Sequence, residues 1–445
     1  MRRLTVMSSL RRRQRPLLLV GLDWTRKKDP PVSLASASIA AAVAQSAPVQ
    51  CLSLNVNSAD DIHAMLRQAL DAFPHERPFI GLGAYIWAEH LIPDVLSTMK
   101  LQRPDATVVL GGPQVSYAPH GSFLSRAYPL ADGFVRGFGE ATMHALAQGE
   151  TRPAGYHPAH ACDTGSQGGK PSSMLPPSDL PSPLLTGWMR PQRFMRWETK
   201  RGCPFSCSFC QHKASSGKRE ALDAARILAE CDWLCEQSKE GPLRDLAVVD
   251  PTFNQGDLHV PVLRRLAAGG LRGKLSLQCR LEMLTPEFID AVNELRRSAR
   301  VVLEFGVQTI HRSEQRHIER PNNAVRIQYW LDRLNAEGVP YELSFMYGLP
   351  AQTIQSFHST VEWATRQIDA HAGADARALF FPLMLLRGTK LHENAEKLGL
   401  VSSNQVGVNI HQRVGSGIPH VVSSPSFSLD EWYKMNAIAE EINSR

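Results

Sequence analysis

The chain has 445 residues, 43% hydrophobic and 21% charged, which fits two or three soluble globular domains with sizeable cores. Its formal charge of +6 is no sign of a nucleic-acid partner, because Arg2, Arg3, Arg11, Arg12, Arg13 and Arg15 supply all of it. No stretch has the ~18 apolar residues of a membrane span, no apolar segment follows the first arginines as in a signal peptide, and three of the eight cysteines cluster at 203–210. That spacing suits metal or catalytic use in the reducing cytoplasm, not a disulfide scaffold.

Residues 1–15 form a basic tail expected to be solvated. From 16 to 150, apolar runs alternate with helical patterns. Strands are expected at 16–20, 49–56, 79–85, 106–110 and 133–136, with helices at 33–45, 60–73 and near 91–100. Such alternation implies a parallel, doubly wound, Rossmann-type sheet. Ligands of such sheets bind beyond the carboxyl ends of the strands, where the turns 23–31, 84–87 and 111–116 lie. Residues 151–190, rich in Gly, Ser and Pro, have linker composition.

A second alternation follows. Strands are expected at 196–199, 246–249, 275–279, 301–306, 341–346 and 378–386, with helices such as 286–297 and 324–338. Six βα units cannot close an eight-stranded barrel, so a partial (β/α)6 TIM-type barrel over 191–395 is expected, with an extension at 396–445.

The chemistry concentrates in Lys200-Arg-Gly-Cys203-Pro-Phe-Ser-Cys207-Ser-Phe-Cys210-Gln-His212. Three thiolates leave a tetrahedral zinc one ligand short unless His212 serves. Iron–sulfur clusters use closely spaced thiolates on irregular loops, and a cubane held by three of them keeps one iron open. With Phe209 before the third cysteine, the motif resembles that of the radical S-adenosylmethionine (SAM) superfamily. Val249-Asp-Pro-Thr-Phe-Asn254, Glu304-Phe-Gly-Val-Gln308, Gly348-Leu-Pro350 and Leu386-Arg-Gly-Thr-Lys-Leu391 resemble that family's later strand ends. Tyr85-Ile-Trp87, Leu110-Gly-Gly-Pro113 and Gly137-Phe-Gly-Glu140 resemble parts of an N-terminal cobalamin-binding domain carried by some members.

The resemblance implies a 4Fe-4S cluster on Cys203, Cys207 and Cys210, with SAM chelating the open iron and being cleaved reductively. It implies SAM contacts from Phe209, Gln278, Arg280, Glu304, Gln308 and Gly348, and a cobalamin-like pocket at Tyr85, Trp87, Gly111 and Gly112. An electron must come from a carrier such as flavodoxin or ferredoxin. The expected enzyme is a transferase acting on a small molecule or natural-product precursor, with no membrane and no nucleic-acid partner.

Whether cobalamin binds stays open. Asp61-Ile-His63 is nearly the family's axial-histidine signature, but Leu66 stands where glycine belongs and the segment follows the second strand, not the first. Asp23-Trp-Thr-Arg-Lys-Lys-Asp-Pro30 contains no histidine. Cobalamin-dependent methyl transfer is therefore one alternative. Another is transfer of the 3-amino-3-carboxypropyl group without cobalamin, as in the radical SAM enzyme type of arsinothricin biosynthesis. A tRNA-modifying enzyme and a non-catalytic sensor are alternatives of other classes. Cys231, Cys235 and Cys279 read as core residues, and His411 and His420 as groups within reach of the barrel mouth.

Overall fold

A computed structural model describes residues 15–58, 60–119, 121–159, 179–212, 220–371, 373, 375–405 and 417–444. Residues 1–14 of the basic tail, most of the Gly/Ser-rich run before Pro183 and His411 lie outside these residues, while Arg15, expected to be solvated, packs with its guanidinium carbon 3.7 Å from the Phe79 ring centre.

The first half alternates as its pattern predicts: β1 (Leu17–Asp23), α1 (Leu34–Val43), β2 (Val49–Asn55), α2 (Ile62–Ala72), β3 (Phe79–Gly83) and α3 (Ile92–Gln102). Then come β4 (Thr107–Gly111), the short α4 (Pro113–Ser116) and α5 (Gly121–Ala127), β5 (Gly133–Val135), α6 (Glu140–Ala147) and β6 (Tyr156–Pro158). The strand order is β2-β1-β3-β4-β5-β6. The first five are parallel, and β6 runs antiparallel to β5 along the edge. This order places a topological switch point beside β1, where ligands of such sheets collect.

The sheet is doubly wound because β1 alternates. Leu17 and Leu19 join α1 and α6 on one face, while Leu18, Val20 and Leu22 join α2 and α3 on the other. The expected parallel, doubly wound sheet is present, and β6, an antiparallel edge strand, adds to it from inside the stretch read as linker. Three residues behind Gly155 are too few to show a period.

The second half begins with β7 (Phe194–Trp197), β8 (Lys200–Arg201) and β9 (Glu220–Ala221), then α7 (Ala224–Lys239). It continues with β10 (Asp245–Val248), α8 (His259–Ala268), β11 (Gly273–Cys279), α9 (Pro286–Leu295), β12 (Ala299–Gln308), α10 (Arg312–His317) and α11 (Ala324–Ala336). After β13 (Tyr341–Tyr347), α12 (Ile354–Asp369), β14 (Ala376–Pro382) and α13 (Lys390–Glu393), a hairpin of β15 (Val401–Ser403) and β16 (His420–Ser423) leads into α14 (Leu429–Asn443).

Six parallel strands stand in sequential order, β7-β10-β11-β12-β13-β14, with β7 and β14 at the two edges. This is the open, partial barrel expected from six units. Leu275, Leu277 and Cys279 of β11 point into the helix-side core, so Lys274, Ser276 and Gln278 face the lumen. Trp432 and Met435 of α14 complete that core. The last strand ends earlier than its apolar run suggests. Beyond Pro382 the chain bonds β16 instead, with Val421 N–H donating to Leu383 O at 2.9 Å and Leu385 N–H to Pro419 O at 2.8 Å.

The two sheets meet around the cysteine segment. Arg201, buried, lies 2.7 Å from a carboxylate oxygen of Glu140 and 2.9 Å from one of Glu198, with its guanidinium carbon 4.9 Å from the Phe138 ring centre. Beyond the cysteines, the Tyr117 hydroxyl donates to Gln211 O. Arg387 reaches Glu89 at 2.7 Å and Gln114 O at 3.0 Å. On the far side, Asp29 accepts from Arg26 and from Arg196 of β7, each at 2.9 Å. Burial opposes the Arg201 charge, but Glu140 and Glu198 hold that guanidinium above its ordinary range.

Removing one partner of a buried pair leaves the other charge poorly compensated. Glu140→Ala is therefore expected to destabilise the folded chain by on the order of 3 kcal/mol, because Arg201 keeps only Glu198. Urea unfolding followed by circular dichroism measures it. An unchanged midpoint would show that the pair contributes nothing.

Candidate functional site

The three cysteines lie on an irregular loop that leaves β8 and crosses towards β12. Gly202, with φ +74°, makes the first turn, a conformation that costs other residues about 1–2 kcal/mol. The loop is then tied down by its own polar atoms. Ser208 N–H donates to Ile318 O at 2.9 Å, Ser208 Oγ to His317 O at 3.0 Å, and Leu391 N–H to Ser208 O at 2.8 Å. Phe209 is half-buried against the barrel core.

All three thiols are half-buried and unpaired with one another. Cys203 Sγ lies 3.8 Å from Thr252 Oγ1, Cys207 Sγ 4.0 Å from Arg320 Nη1, and His212 N–H points at Cys210 Sγ from 3.4 Å. Burial pushes the Cys210 thiol up to about 11, opposed by the His212 N–H and reinforced by Cys207 and Cys203, so the three sense one another. Among the described residues no three His, Cys, Asp or Glu side chains are gathered closely enough round one point to hold a single ion. A cubane takes each thiolate on a different iron, and a loop of this spread could hold one.

Two cations face the thiols. Arg280, just past β11, stacks on Phe205 with its guanidinium carbon 4.0 Å from the ring centre, meets Glu282 at 3.5 Å and donates to Pro321 O at 3.3 Å. Its backbone N–H is fixed by Asn254 Oδ1 at 2.9 Å. Arg320 donates to Gly306 O. Such cations favour the thiolate forms that metals need.

The remaining candidates divide. Gln308 ends β12 at a register shift and takes φ +70°, a strained conformation for a residue with a Cβ. Its side chain folds back over Gly306, where an added Cβ would stand 2.5 Å from Gln308 Nε2. Gln278 and Glu304 are register neighbours lower on the lumen face. Burial and Glu342 raise the Glu304 carboxyl, with Lys274 and Ser276 opposing, so Glu304 and Arg280 do not pair with each other. The backbone N–H of Gly348 is already taken by Gln352 Oε1 at 2.7 Å, and a Cβ there would meet Val421 O at 2.8 Å. Gly348 shapes a buried turn against β16.

At the first sheet, Tyr85 stacks on Trp87 with centroids 4.5 Å apart, and Trp87 Nε1 donates to Leu22 O at 2.9 Å. Burial, with Asp23 and Glu140 nearby, pushes the Tyr85 phenol up to about 12. Gly112, with φ +96°, lies so close to Ala84 that an added Cβ would be 2.8 Å from its carbonyl oxygen, and Gly111 sits beside Val135. These residues surround the switch point. Asp61 serves as the N-cap of α2, accepting from His63 N–H and Ala64 N–H, while His63 Nδ1 meets Thr98 of α3 at 3.0 Å. Cys231 and Cys235 are core residues of α7. His420 is buried in β16 and pushed down to about 4, chiefly by that burial. Arg320, Thr252 and Phe205 carry no periodicity that sequence reading could have used.

Residues 197–364 match the radical SAM superfamily. The chain is 33% identical over 207 residues to the 2-(S-pantetheinyl)-carbapenam-3-carboxylate methyltransferase of Streptantibioticus cattleyicolor, an alignment covering 42% of this chain and 29% of that one. It is 26% identical over 314 residues to the cobalamin-dependent radical SAM methyltransferase TokK of Streptomyces tokunonensis, covering 64% and 44%. The chain thus spans less than half the length of these two relatives. Its fold matches the radical SAM methyltransferase TsrM of Kitasatospora setae, whose structure holds cobalamin and a [4Fe-4S] cluster, with TM-score 0.72 at 16% identity over 97% of this chain and 89% of that one. The chain thus carries a radical SAM domain at residues 197–364 and is similar, over a longer span, to a cobalamin-dependent radical SAM methyltransferase.

Proposed function

We propose that Cys203, Cys207 and Cys210 hold a 4Fe-4S cluster, and that the chain transfers a methyl group from SAM to a small molecule with cobalamin at the carboxyl end of the first sheet. One observation carries this reading. The cysteine loop is fastened on both sides to loops of the first sheet, through Arg201 to Glu140 and through Gln211 to Tyr117. A cofactor at the switch point and a cluster on the thiols would then border one space.

In that reading Arg280 and Gln308, at the strand ends by the thiols, orient SAM. Phe209 backs the cluster, and Gln278 and Glu304 line the lumen below. Gly348 acts by shaping its turn, since its N–H is already bonded. When bound, cobalamin supplies a carrier for the methyl group. The Gly111-Gly112 turn admits a close approach to the backbone, and Tyr85 with Trp87 offers a flat apolar face. No histidine lies in 23–31, and His63 is engaged between two helices.

That missing histidine favours a second reading, in which SAM gives up its 3-amino-3-carboxypropyl group and cobalamin plays no part. The products separate the two. S-Adenosylhomocysteine reports methyl transfer, methylthioadenosine the second reading, and 5'-deoxyadenosine with methionine an adenosyl radical. Changing Cys203, Cys207 and Cys210 together to alanine is expected to remove about four irons per chain and all three products. Stoichiometric zinc without iron–sulfur absorbance would refute the cluster.

Protein from cells supplied with cobalamin is expected to carry its visible spectrum, and His63→Ala to keep it. Loss of that spectrum in the single variant would make His63 an axial ligand.

A further inference from the structure

Reductive cleavage needs one electron from outside the chain, and the surface beside the cysteine loop has the charge to receive its carrier. A cleft of about 600 Å³ is lined by Phe205, Arg280, Met283, Arg312, Asn322 and Val325, among others. Phe205 is two residues from both Cys203 and Cys207, so chain length alone keeps it within about 7 Å of each. Val325 is 81% exposed, which is unusual for a branched apolar side chain beside half-buried Met283 and Phe205.

The charges around this cleft are unbalanced. In segments 280–287 and 309–326 every carboxylate is engaged. Glu282 meets Arg280, Glu287 meets Arg264, and Glu319 meets Lys390. Glu314 is buried and accepts from Thr309 and Ser356 hydroxyls, each at 2.5 Å. By contrast Arg312, Arg316 and Arg326 are exposed and meet no carboxylate among the described residues. Arg312 and Arg316 stand four apart on α10 and share a face. Arg326 reaches Leu284 O at 3.4 Å, which brings it to the Met283 rim.

We propose that this arginine-rimmed cleft is the docking surface for an acidic, low-potential one-electron carrier of the flavodoxin or ferredoxin kind. The proposal rests on the reading of the three cysteines as cluster ligands. An apolar centre with a charged rim suits the small, transient contacts of electron transfer. A carrier docked there would lose one electron to a cluster held by Cys203, Cys207 and Cys210, from which the electron would pass to a carbon–sulfur bond of SAM. Unpaired arginines steer an acidic carrier and set its rate of encounter more than its final affinity.

The test compares two electron sources in the reconstituted protein. Reduced flavodoxin needs to dock, and dithionite does not. In R312E/R326E, SAM cleavage driven by flavodoxin is expected to fall at least about tenfold, within the range of electrostatic steering. Cleavage driven by dithionite should stay within about twofold of wild type. Oxidised flavodoxin, titrated by its flavin fluorescence, should bind the double variant correspondingly more weakly. Arg152→Glu, a charge reversal of the same kind elsewhere on the surface, should alter none of these.

Unchanged flavodoxin binding and flavodoxin-driven cleavage would overturn the proposal, including the case in which the arginines serve an RNA. An equal fall with both electron sources would overturn it too, because the arginines would then act on the chemistry or the fold. If wild type itself gives no cleavage with dithionite, the cluster reading fails first and the docking surface goes with it.

Discussion

The buried ion pair of Arg201 with Glu140 fixes the rest of the site. Arg201 precedes the first cysteine by two residues, so the path of the loop is set there. Its carboxylate partner opens α6 of the other sheet, at a helix end where negative charge is favoured. A buried charge without its partner is costly, so the pair permits few intermediate spacings between the two sheets. Tyr117 fixes the loop again after the last cysteine. Gly388 makes the neighbouring approach possible, since a Cβ there would stand 2.7 Å from Tyr117 O. The position of the thiols is therefore a property of both sheets.

Charge is distributed around the thiols by engaging the acids elsewhere. Asp250, buried beside the loop, accepts from Thr199 N–H at 2.8 Å and faces Lys200 at 3.9 Å. Lys200 in turn donates to Phe253 O and Gln255 O at 2.6 Å. Glu282 is held by Arg280. With those carboxylates engaged, Arg280 and Arg320 are the charges that face Cys203 and Cys207. Burial works against a thiolate at Cys210, and this positive surrounding works for one.

The two-sheet architecture was legible because apolar runs alternate with helical patterns along most of this chain, which marks even three- and four-residue strands such as β5, β7 and β10. Features that depend on pairing alone were not. β6 has three residues and exists through its bonds to β5. The end of β14 was masked because Leu383 and Leu385 continue its apolar run while bonding β16. At the site, spacing singles out the cysteines and a place after a strand singles out Arg280, which the structure sets against Phe205 of the cysteine loop. A glycine behind a strand can serve a ligand or a turn, and the bond of the Gly348 N–H to Gln352 Oε1, which shapes its turn, is a side-chain contact that no periodicity announces. Arg320 and the strained Gln308 depend on a register shift in β12 that no local pattern announces.

The segment after β1 shows how the two sheets constrain the cofactor question. In a cobalamin domain built around an axial histidine, that segment is the one free to offer a ligand. Here its Asp29 side chain is 1% exposed and holds Arg26 and Arg196 together, while Lys28 reaches Asp245 at 3.2 Å and lies 4.4 Å from the Phe194 ring centre. Those contacts tie the segment to the first two barrel strands, so it serves as a strut between the sheets. Asp23, at its start, is occupied by Ser53, which donates to it at 2.7 Å. The segment is thus fastened at both ends, and the groups that stand at the switch point are the stacked Tyr85 and Trp87 and the Gly111-Gly112 turn, which offer shape and contact.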